Sequence, residues 1–294
     1  VEYVAKTRDL PFENMEVDIS DHTRAYIKIE DGCDNFCSYC IIPFVRGKKR
    51  SKDFSLVLRE VKHLANNGYK EIVLTGIDTG GYESNGKDLT DLICEMSKIN
   101  GIERIRQSSI EITQINEKFI NELKNNNKIC DHIHIPLQSG SDSILKLMNR
   151  KYDLKYFFDK IDMIRSVRPD ISITTDVIVG FPGETEEMFL ETMQTCKKIN
   201  FSKIHAFPYS ERKGTKASMM DGKVAESVKH ERVKKLLELS DSLEKSYYDK
   251  FKGKKLDVLI EEVSEFGSKG HTSNYLMVHT NEKLQKGEIY NLIV

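Results

Sequence analysis

Residues 32–40 of the chain are Gly-Cys-Asp-Asn-Phe-Cys-Ser-Tyr-Cys, a stretch that holds three cysteines within eight residues. Cys33, Cys37 and Cys40 follow the spacing C-x3-C-x2-C, just after a short apolar run that predicts a strand. Thiolates at such intervals in one loop can turn inward onto one metal centre. Soft sulfur donors select zinc or an iron–sulfur cluster. The stretch therefore predicts a metal site at the end of the first strand.

The number of ligands separates the candidate metals. Structural zinc requires four closed ligands, and no fourth Cys or His follows at a fitting distance. An iron–sulfur cubane with three protein ligands leaves one iron open to a substrate or cofactor, which favours chemistry over a structural role. Two alternatives stay open on the residues alone. One is three reduced cysteines without metal, and the other is a zinc site that borrows a distant side chain such as His63.

Working outward from the loop, short β-branched or apolar runs alternate with segments whose apolar residues recur at three- and four-residue steps. This alternation predicts an α/β fold with a parallel sheet, either an open partial barrel of six βα units or a doubly wound sheet. The predicted strands are 26–29, 71–75, 104–108, 132–137, 171–179 and 203–207. The predicted helices are 55–67, 88–98, 116–126, 153–167, 184–199 and 224–250.

A different pattern begins after the last of these helices. Lys252-Gly-Lys-Lys255 breaks the helical period, and strand patterns of period two follow at 256–263, 274–280 and 288–294. This tail predicts a small all-β barrel that is cut short. Because the chain begins at Val1 and ends within a strand-like pattern, we expect it to be a fragment.

The composition excludes several classes of protein. The chain has 294 residues, 39% hydrophobic and 31% charged, and no apolar run approaches the eighteen residues of a membrane span. Its formal charge of -1 does not indicate a nucleic-acid partner, so any such contact requires a local patch. The first ten residues lack a signal-peptide pattern, and the six cysteines are too unevenly spread for a disulfide framework. We therefore expect a reducing, cytoplasmic setting.

Polar and glycine residues concentrate where the predicted strands end, the edge that carries the chemistry in parallel βα folds. The candidate binding residues at this edge are Thr75, Gly76, Ser108, Ser109, Glu111, Gln138, Val179 and Gly180. Arg150, within Met-Asn-Arg-Lys-Tyr, adds a candidate cation for a substrate or cofactor carboxylate. The simpler interpretation of the serines is helix capping.

The cysteine loop, placed after the first strand of a partial βα barrel and with an aromatic residue before its last cysteine, resembles that of the radical S-adenosylmethionine superfamily. The resemblance implies that Cys33, Cys37 and Cys40 bind a [4Fe–4S] cluster. It also implies that the fourth iron binds S-adenosylmethionine, which is cleaved to a 5′-deoxyadenosyl radical. Tyr39 is then expected near the adenine, and the segment 75–78 near the methionine amino group.

Longer motifs are similar to those of the methylthiotransferases within this superfamily. They lie at 32–47, 134–142, 148–152 and 176–185. The similarity extends over about residues 24–294, because Gly270-His-Thr-Ser-Asn-Tyr-Leu276 resembles the TRAM β-barrel that binds RNA in these enzymes. It implies a linker remnant at 1–21, a radical core with a partial (β/α)6 barrel at 22–250, and an incomplete TRAM domain at 251–294.

The resemblance also implies a reaction that replaces the C2 hydrogen of a modified adenosine beside the tRNA anticodon with a methylthio group. The segments at 108–111 and 203–215 favour threonylcarbamoyladenosine as the substrate. The alternatives are isopentenyladenosine in tRNA and an aspartate of a ribosomal protein. One S-adenosylmethionine would methylate a sulfur at an auxiliary [4Fe–4S] cluster, and a second would supply the radical.

Family members hold that auxiliary cluster in an amino-terminal domain with three cysteines of its own, whereas no cysteine precedes Cys33 here. We therefore expect the sulfur-inserting half to be absent from this chain. The expected partners are the tRNA anticodon stem-loop and an electron donor such as a flavodoxin or ferredoxin, with the protein itself a monomer.

A basic segment follows the cysteine loop and predicts contact with a phosphate backbone. Its five cationic residues are Arg46, Lys48, Lys49, Arg50 and Lys52. Tyr275, in the β-rich tail, is a candidate for stacking on a base. A solvated loop is the simpler interpretation of the charge run. A non-catalytic RNA-binding module with a structural metal is the alternative function from another class.

Overall fold

The computed structural model describes residues 12–13 and 22–294. Within them, parallel strands and helices alternate along the chain. The six strands of the barrel are β1 (Ala25–Lys28), β4 (Glu71–Thr75), β7 (Arg104–Gln107), β8 (His132–His134), β9 (Ser172–Val179) and β10 (Lys203–Pro208). The helices are α1 (Ile42–Val45), α2 (Phe54–Asn66), α3 (Leu89–Ser97), α4 (Glu117–Asn125), α5 (Asp142–Leu147), α6 (Leu154–Val167), α7 (Glu186–Ile199) and α8 (Glu226–Asp249).

The order of the strands distinguishes the two predicted architectures. β1, β4 and β7 pair in parallel in that order, and so do β8, β9 and β10. The two halves join where the amide of Ile110 donates to the carbonyl of His134 at 3.0 Å and the amide of Cys130 donates to that of Ile105 at 3.0 Å. Strand order thus follows chain order without the reversal that a doubly wound sheet requires. The prediction of a partial barrel of six βα units is confirmed.

The longer helices cover the outer face of this sheet because they carry apolar stripes, whereas the four-residue α1 buries none of its residues. In α2, Val57, Val61 and Leu64 recur at helical spacing and are fully buried, while Asp53 caps the first turn by accepting from the amides of Ser55 and Leu56. Outward-facing strand residues complete the core. They include Ile27, Leu74, Ile105, Ile133 and Ile173. No helix among the described residues combines the length and the apolar character of a membrane span.

Several predicted bounds differ from the structure for local reasons. The predicted strand at 132–137 ends at His134, because Pro136 lacks an amide hydrogen and Leu137 donates to the Thr175 hydroxyl instead of a ladder partner. Helices α1 and α5 and two short antiparallel strand pairs were not predicted. The pairs are β2 (Glu30–Asp31) with β3 (Arg50–Ser51), which flank the cysteine loop and α1, and the hairpin of β5 (Glu83–Ser84) with β6 (Lys87–Asp88).

The chain ends in a four-stranded antiparallel sheet, consistent with the predicted small β domain. Its strands are β11 (Lys255–Ser264), β12 (Gly267–Thr272), β13 (Met277–Thr280) and β14 (Ile289–Ile293), in the order β13-β12-β11-β14. Gly270 is required where β12 crosses β11, because a Cβ there would lie 1.8 Å from the carbonyl oxygen of Leu259. The predicted domain boundary after residue 250 falls between α8 and β11.

A buried charged trio joins this sheet to the amino-terminal end of the barrel. Glu71 accepts from Arg106 Nε at 2.6 Å and lies 3.5 Å from Nη1 of Arg104. All three side chains are at least nine-tenths buried. The remaining arginine donors reach backbone carbonyls of the tail at Asp257, His271, Thr272 and Ser273. The carboxylate therefore orients two arginines that hold the tail by its main chain.

The first prediction concerns this trio. Arg106→Met should lower the free energy of unfolding by about 3–5 kcal/mol, because it leaves the Glu71 carboxylate buried with one distant partner. Lys98→Met, which removes an exposed pair with Glu95, should cost under about 1 kcal/mol. Urea titrations of both variants measure the difference. A loss below about 1 kcal/mol for Arg106→Met would contradict the assigned role.

Candidate active site

The three-cysteine loop lies at the carboxyl ends of the barrel strands, where β1 and β2 lead directly into it. Gly32 has φ +88°, and a Cβ at that position would lie 2.2 Å from the carbonyl oxygen of Lys48. Only glycine fits this turn without strain. The amide of Cys33 then donates to the carbonyl of Gly47 at 3.2 Å. The entry to the loop is thus held against the segment that follows it.

The middle of the loop is fastened to the turn after α5. The amide of Ser38 donates to the carbonyl of Met148 at 3.0 Å, and its hydroxyl donates to that of Leu147 at 2.8 Å. From the other side, Asn149 Nδ2 donates to the carbonyl of Phe36 at 2.9 Å. Residues more than a hundred positions apart in sequence therefore fix the conformation of the loop.

The three cysteines of the loop are half-buried. The amide of Asn35 donates to Cys33 Sγ at 3.4 Å. Burial raises the pKa of Cys33 to about 12, so this thiol becomes a thiolate at neutral pH only with a bound cation beside it. Among the described residues, no three His, Cys, Asp or Glu side chains converge as ligands of a single metal ion. A cluster distributes its thiolates over separate irons, so three cysteines on one loop with N–H donors at sulfur fit a [4Fe–4S] group.

Arg150, predicted as a cation for a substrate or cofactor carboxylate, contacts the cysteine loop. Its Nη1 donates to Cys37 Sγ at 3.2 Å, and its Nη2 pairs with the Glu111 carboxylate. Its Nε donates to the hydroxyl of Tyr152 at 3.2 Å. Glu111, predicted as a cofactor contact, is thus the partner of the guanidinium. Burial raises the pKa of Glu111, and the adjacent Arg150 opposes that change.

Glu30 is a site residue that the sequence did not predict. It is completely buried, and its Oε2 accepts from the amides of Ile77 at 2.9 Å and Asp78 at 2.6 Å. The other oxygen, Oε1, has no partner. Burial raises the pKa of this carboxyl to about 7. The side chain braces the loop at Gly76, where a Cβ would lie 3.0–3.1 Å from Glu30 atoms.

A second buried glutamate braces the loop after β9 in the same way. Gly180 has φ +70°, and its amide donates to Glu184 Oε2 at 2.5 Å. That carboxylate also pairs with Arg232 at 2.7 Å. The side chain of Val179 is fully buried in the core, so only its backbone groups are available at this edge. The sequence pattern predicts that Glu184 is a charged residue in the first turn of a helix. The one local sequence feature that could indicate either bracing glutamate is an acidic residue near a glycine at a strand end.

Two of the remaining predicted cofactor contacts, Ser108 and Ser109, line a cavity of about 760 Å³ inside the barrel, and the Ser108 hydroxyl is buried without a partner. The others lie outside this lining. Thr75 donates its hydroxyl to the carbonyl of Ile27 at 3.2 Å, while Gln138 adopts φ +64° in the loop after β8. Tyr39 packs edge-to-face on Phe181, with ring centroids 6.4 Å apart.

The predicted RNA-binding residues are divided by the structure. Arg46 and Arg50 both pair with Asp31, at 2.6 and 3.1 Å. Burial opposes ionisation of Asp31, but hydrogen bonds and charge from Arg46 and Lys28 lower its pKa to about 2. Lys52 is 3% exposed and paired with Glu60, so its ammonium is not presented to a phosphate. Lys48 and Lys49 remain exposed. They are the cations of this segment that a polyanion can reach.

Tyr275, predicted to stack on a base, stacks on two imidazoles of the protein. Its ring centroid lies 5.0 Å from that of His132 and 4.6 Å from that of His271, and the Arg106 guanidinium lies 4.7 Å away. The ring lines the barrel cavity at the end where the carboxyl-terminal sheet docks. It is still 41% exposed, so part of one side remains open to a ligand in the cavity.

The chain is similar to proteins of one superfamily. The Radical SAM superfamily profile matches residues 27–196. A threonylcarbamoyladenosine tRNA methylthiotransferase, MtaB, of Bacillus subtilis is 45% identical over 91% of this chain and 61% of its own length. A tRNA-2-methylthio-N(6)-dimethylallyladenosine synthase of Acetivibrio thermocellus is 42% identical over 87% and 54%. The chain therefore spans less than two thirds of these curated relatives.

A solved structure shares the fold at low sequence identity. The radical S-adenosylmethionine methyltransferase TsrM of Kitasatospora setae, with cobalamin and a [4Fe–4S] cluster bound, superposes with a TM-score of 0.57 at 15% identity. The superposition covers 66% of this chain and 38% of that one. At this identity the likeness extends to the fold alone.

The pKa of Glu30 predicts a pH-dependent cost in stability. The unfolded carboxyl ionises near 4.5 and the folded one near 7, so stability falls as pH rises from about 4.5 to 7 and stays lower above that. At pH 8, Glu30→Gln should therefore have a free energy of unfolding up to about 3 kcal/mol higher than that of the unchanged protein, and should unfold at a higher urea concentration. At pH 4 the two proteins should unfold at the same urea concentration. An equal difference at both pH values would contradict the assignment.

Proposed function

This chain belongs to the radical SAM superfamily, and we propose that it is the catalytic core of an enzyme that adds a methylthio group to tRNA. The observation that carries the proposal is the position of three partly buried cysteines on one loop at the carboxyl ends of the parallel barrel strands. The two kinds of curated relative, a threonylcarbamoyladenosine tRNA methylthiotransferase and a tRNA-2-methylthio-N(6)-dimethylallyladenosine synthase, align with most of the chain and support the proposal. A cluster held by Cys33, Cys37 and Cys40 would supply the electron that cleaves S-adenosylmethionine.

The residues around the cavity have separable tasks under this proposal. The braced loops at Gly76 and Gly180 present backbone groups without intervening side chains, which suits close approach of a cofactor. Ser108 and Ser109 offer hydroxyls in the lining of the cavity. A base in a folded tRNA must be splayed out of its stack to enter.

The lining of the cavity favours threonylcarbamoyladenosine as the substrate over isopentenyladenosine. Hydroxyl, imidazole and carboxylate groups face it, among them Thr174, Asp176, His134 and His205. A threonylcarbamoyl substituent can hydrogen-bond with such groups, whereas an isopentenyl group cannot. Thr174, His134 and Asp176 also contact one another, so they are held in place for such a substituent. The electron donor, the RNA-binding role of the carboxyl-terminal domain and the monomeric state remain predictions.

The function is tested in a strain that lacks the gene. Nucleoside mass spectrometry of its tRNA should show threonylcarbamoyladenosine without the methylthio group. A gene copy carrying Cys33→Ala should leave the tRNA unmodified, whereas a copy carrying Cys196→Ala, which alters a cysteine buried in the core, should restore the modification. Loss of the methylthio group from isopentenyladenosine instead would transfer the proposal to that substrate.

The same pair of variants predicts a result with purified, reconstituted protein. The unchanged chain and Cys196→Ala should release 5′-deoxyadenosine from S-adenosylmethionine under strong reductant, and Cys33→Ala should release none above background. A colourless chain that holds stoichiometric zinc would favour the non-catalytic RNA-binding alternative. Equal cleavage by both variants would refute the assignment of the ligands.

Lys48 and Lys49 should contribute phosphate contacts. Replacing both with alanine is expected to weaken binding of an anticodon stem-loop and to reduce the slope of log K against log salt by roughly 1–2. Lys155→Ala with Lys234→Ala removes two equally exposed charges from outer helices and should leave the slope unchanged. Filter binding at several salt concentrations gives both slopes. An unaltered slope in the first pair would place the RNA elsewhere.

A further inference from the structure

The lysine and arginine side chains that line the barrel cavity differ in how many of their hydrogen-bond donors are already used. They are Arg24, Arg106 and Lys203. Arg106 donates to the Glu71 carboxylate through Nε, and its two terminal nitrogens donate to the carbonyls of Ser273 and Thr272. Its guanidinium is therefore engaged in the joint with the carboxyl-terminal sheet.

Arg24 belongs to the same joint. It directly precedes β1, so it lies at the edge of the barrel where the strands begin, opposite the cysteine loop. Its Nη2 lies 3.4 Å from the Glu261 carboxylate, and its guanidinium lies 5.5 Å from the ring centroid of Tyr275. Both of these partners are residues of the carboxyl-terminal sheet.

Lys203 lies closer to the site edge of the barrel than Arg24 does. In the strand register it pairs with Thr174, which pairs with His134, and His134 forms a bridge with Ser109. These four residues therefore occupy one level of the barrel. The next residue after Lys203, Ile204, is buried in the core. Since strand residues alternate between faces, the Lys203 side chain starts on the side of the lumen.

The Lys203 ammonium has donors to spare. Its Nζ lies 3.0 Å from Oε1 of Glu244 on α8, and both side chains are 46% exposed. An ammonium carries three N–H donors, and Glu244 accepts from one of them. An exposed pair of this kind contributes little to stability, so a ligand can replace the glutamate at little cost. Because Glu244 also lines the cavity, the pair shows that a carboxylate fits against Lys203 at the cavity wall.

Lys203 also lies on the open side of the barrel. β1 and β10 are the end strands of the six, since each has one strand neighbour among the described residues. Tyr26 on β1 and Lys203 on β10 both line the cavity, and Tyr26 is 41% exposed. The open side of the barrel therefore borders the cavity, with the ammonium beside it.

The other ionisable groups around Lys203 do not supply a second available cation. His134 lies 3.2 Å from the Asp176 carboxylate, which is already its partner. Burial lowers the pKa of both His205 and His132, which favours neutral imidazoles at neutral pH. A carboxylate that enters this level of the cavity thus meets one exposed cation. A threonylcarbamoyl substituent carries a carboxylate, whereas an isopentenyl group carries no charge.

We propose that Lys203 binds the carboxylate of the threonylcarbamoyl substituent, and that Glu244 holds the ammonium in place until the substrate enters. This inference rests on the proposed function and names the contact that distinguishes the two modified adenosines. His134 and Thr174 are then left to the carbamoyl and hydroxyl groups of the substituent. The carboxylate of Glu244 competes with that of the substrate for one ammonium, so the two residues act in opposite directions.

The test compares the binding of two synthetic anticodon stem-loops to the chain with its cluster reconstituted, by fluorescence anisotropy. One stem-loop carries threonylcarbamoyladenosine, and the other carries the primary amide of the same substituent, which has the same shape without the charge. The unchanged chain should bind the acid at least about tenfold more tightly than the amide. Lys203→Met should bind both equally, Lys203→Arg should retain a preference for the acid, and Glu244→Gln should increase that preference.

Lys235→Met is the matched control. The Lys235 ammonium is 43% exposed and lies 2.8 Å from the Glu231 carboxylate, but Lys235 is not among the residues that line the cavity. This variant should keep the full preference for the acid.

The binding data and the nucleoside analysis of the deletion strain separate the two claims. A preference for the acid that survives in Lys203→Met, or that is absent from the unchanged chain, would overturn the carboxylate contact while leaving the proposed function intact. Tighter binding after Lys203→Met than after Lys235→Met would overturn it as well. Methylthio groups that persist in the tRNA of the deletion strain would instead overturn the proposed function.

Discussion

Parallel pairing of six strands in chain order is the constraint on which the rest of the molecule depends. Because every strand points the same way, all six carboxyl ends meet at one edge, and loops far apart in sequence become neighbours there. The cysteine loop after β2 thus contacts the turn after α5, through Ser38 and Asn149. The opposite edge is left with strand beginnings, and there Arg104 and Arg106 attach the carboxyl-terminal sheet.

Buried glutamates lie at both edges of the barrel, but they have different partners at each edge. At the attachment edge, buried Glu71 is neutralised by two arginines, which suits a permanent joint. At the site edge, Glu30 and Glu184 accept from backbone amides, and Glu30 has no cationic partner among the described residues. Braces of this kind hold glycine-containing loops open without filling the space above them. The raised pKa of Glu30 reflects the cost of burying this carboxylate, because its hydrogen bonds only partly offset the loss of solvation.

Much of the fold follows from local sequence, because strand and helix periods are local. The six strands, the outer helices and the cysteine loop were predicted near their observed positions. The contacts that shape the site were not, since they join residues distant along the chain. Nothing near Lys52 in sequence indicates its burial against Glu60, and nothing near Arg150 indicates a contact with Cys37, 113 residues away. The basic segment after the loop is a further example. Its sequence does not indicate that two of its cations, Arg46 and Arg50, pair with Asp31.

The joint between barrel and tail has a consequence for how the protein can vary. The acceptors at Asp257, His271, Thr272 and Ser273 are main-chain carbonyls, which every amino acid carries. Exchange of a side chain at one of those positions therefore keeps the carbonyl acceptor of the arginine, provided that the backbone path is kept. Ser273 carries a further constraint, because its hydroxyl accepts from the amide of Asp131 in the barrel. The sequence of the tail can thus vary at the other positions while its arginine joint to the barrel is preserved.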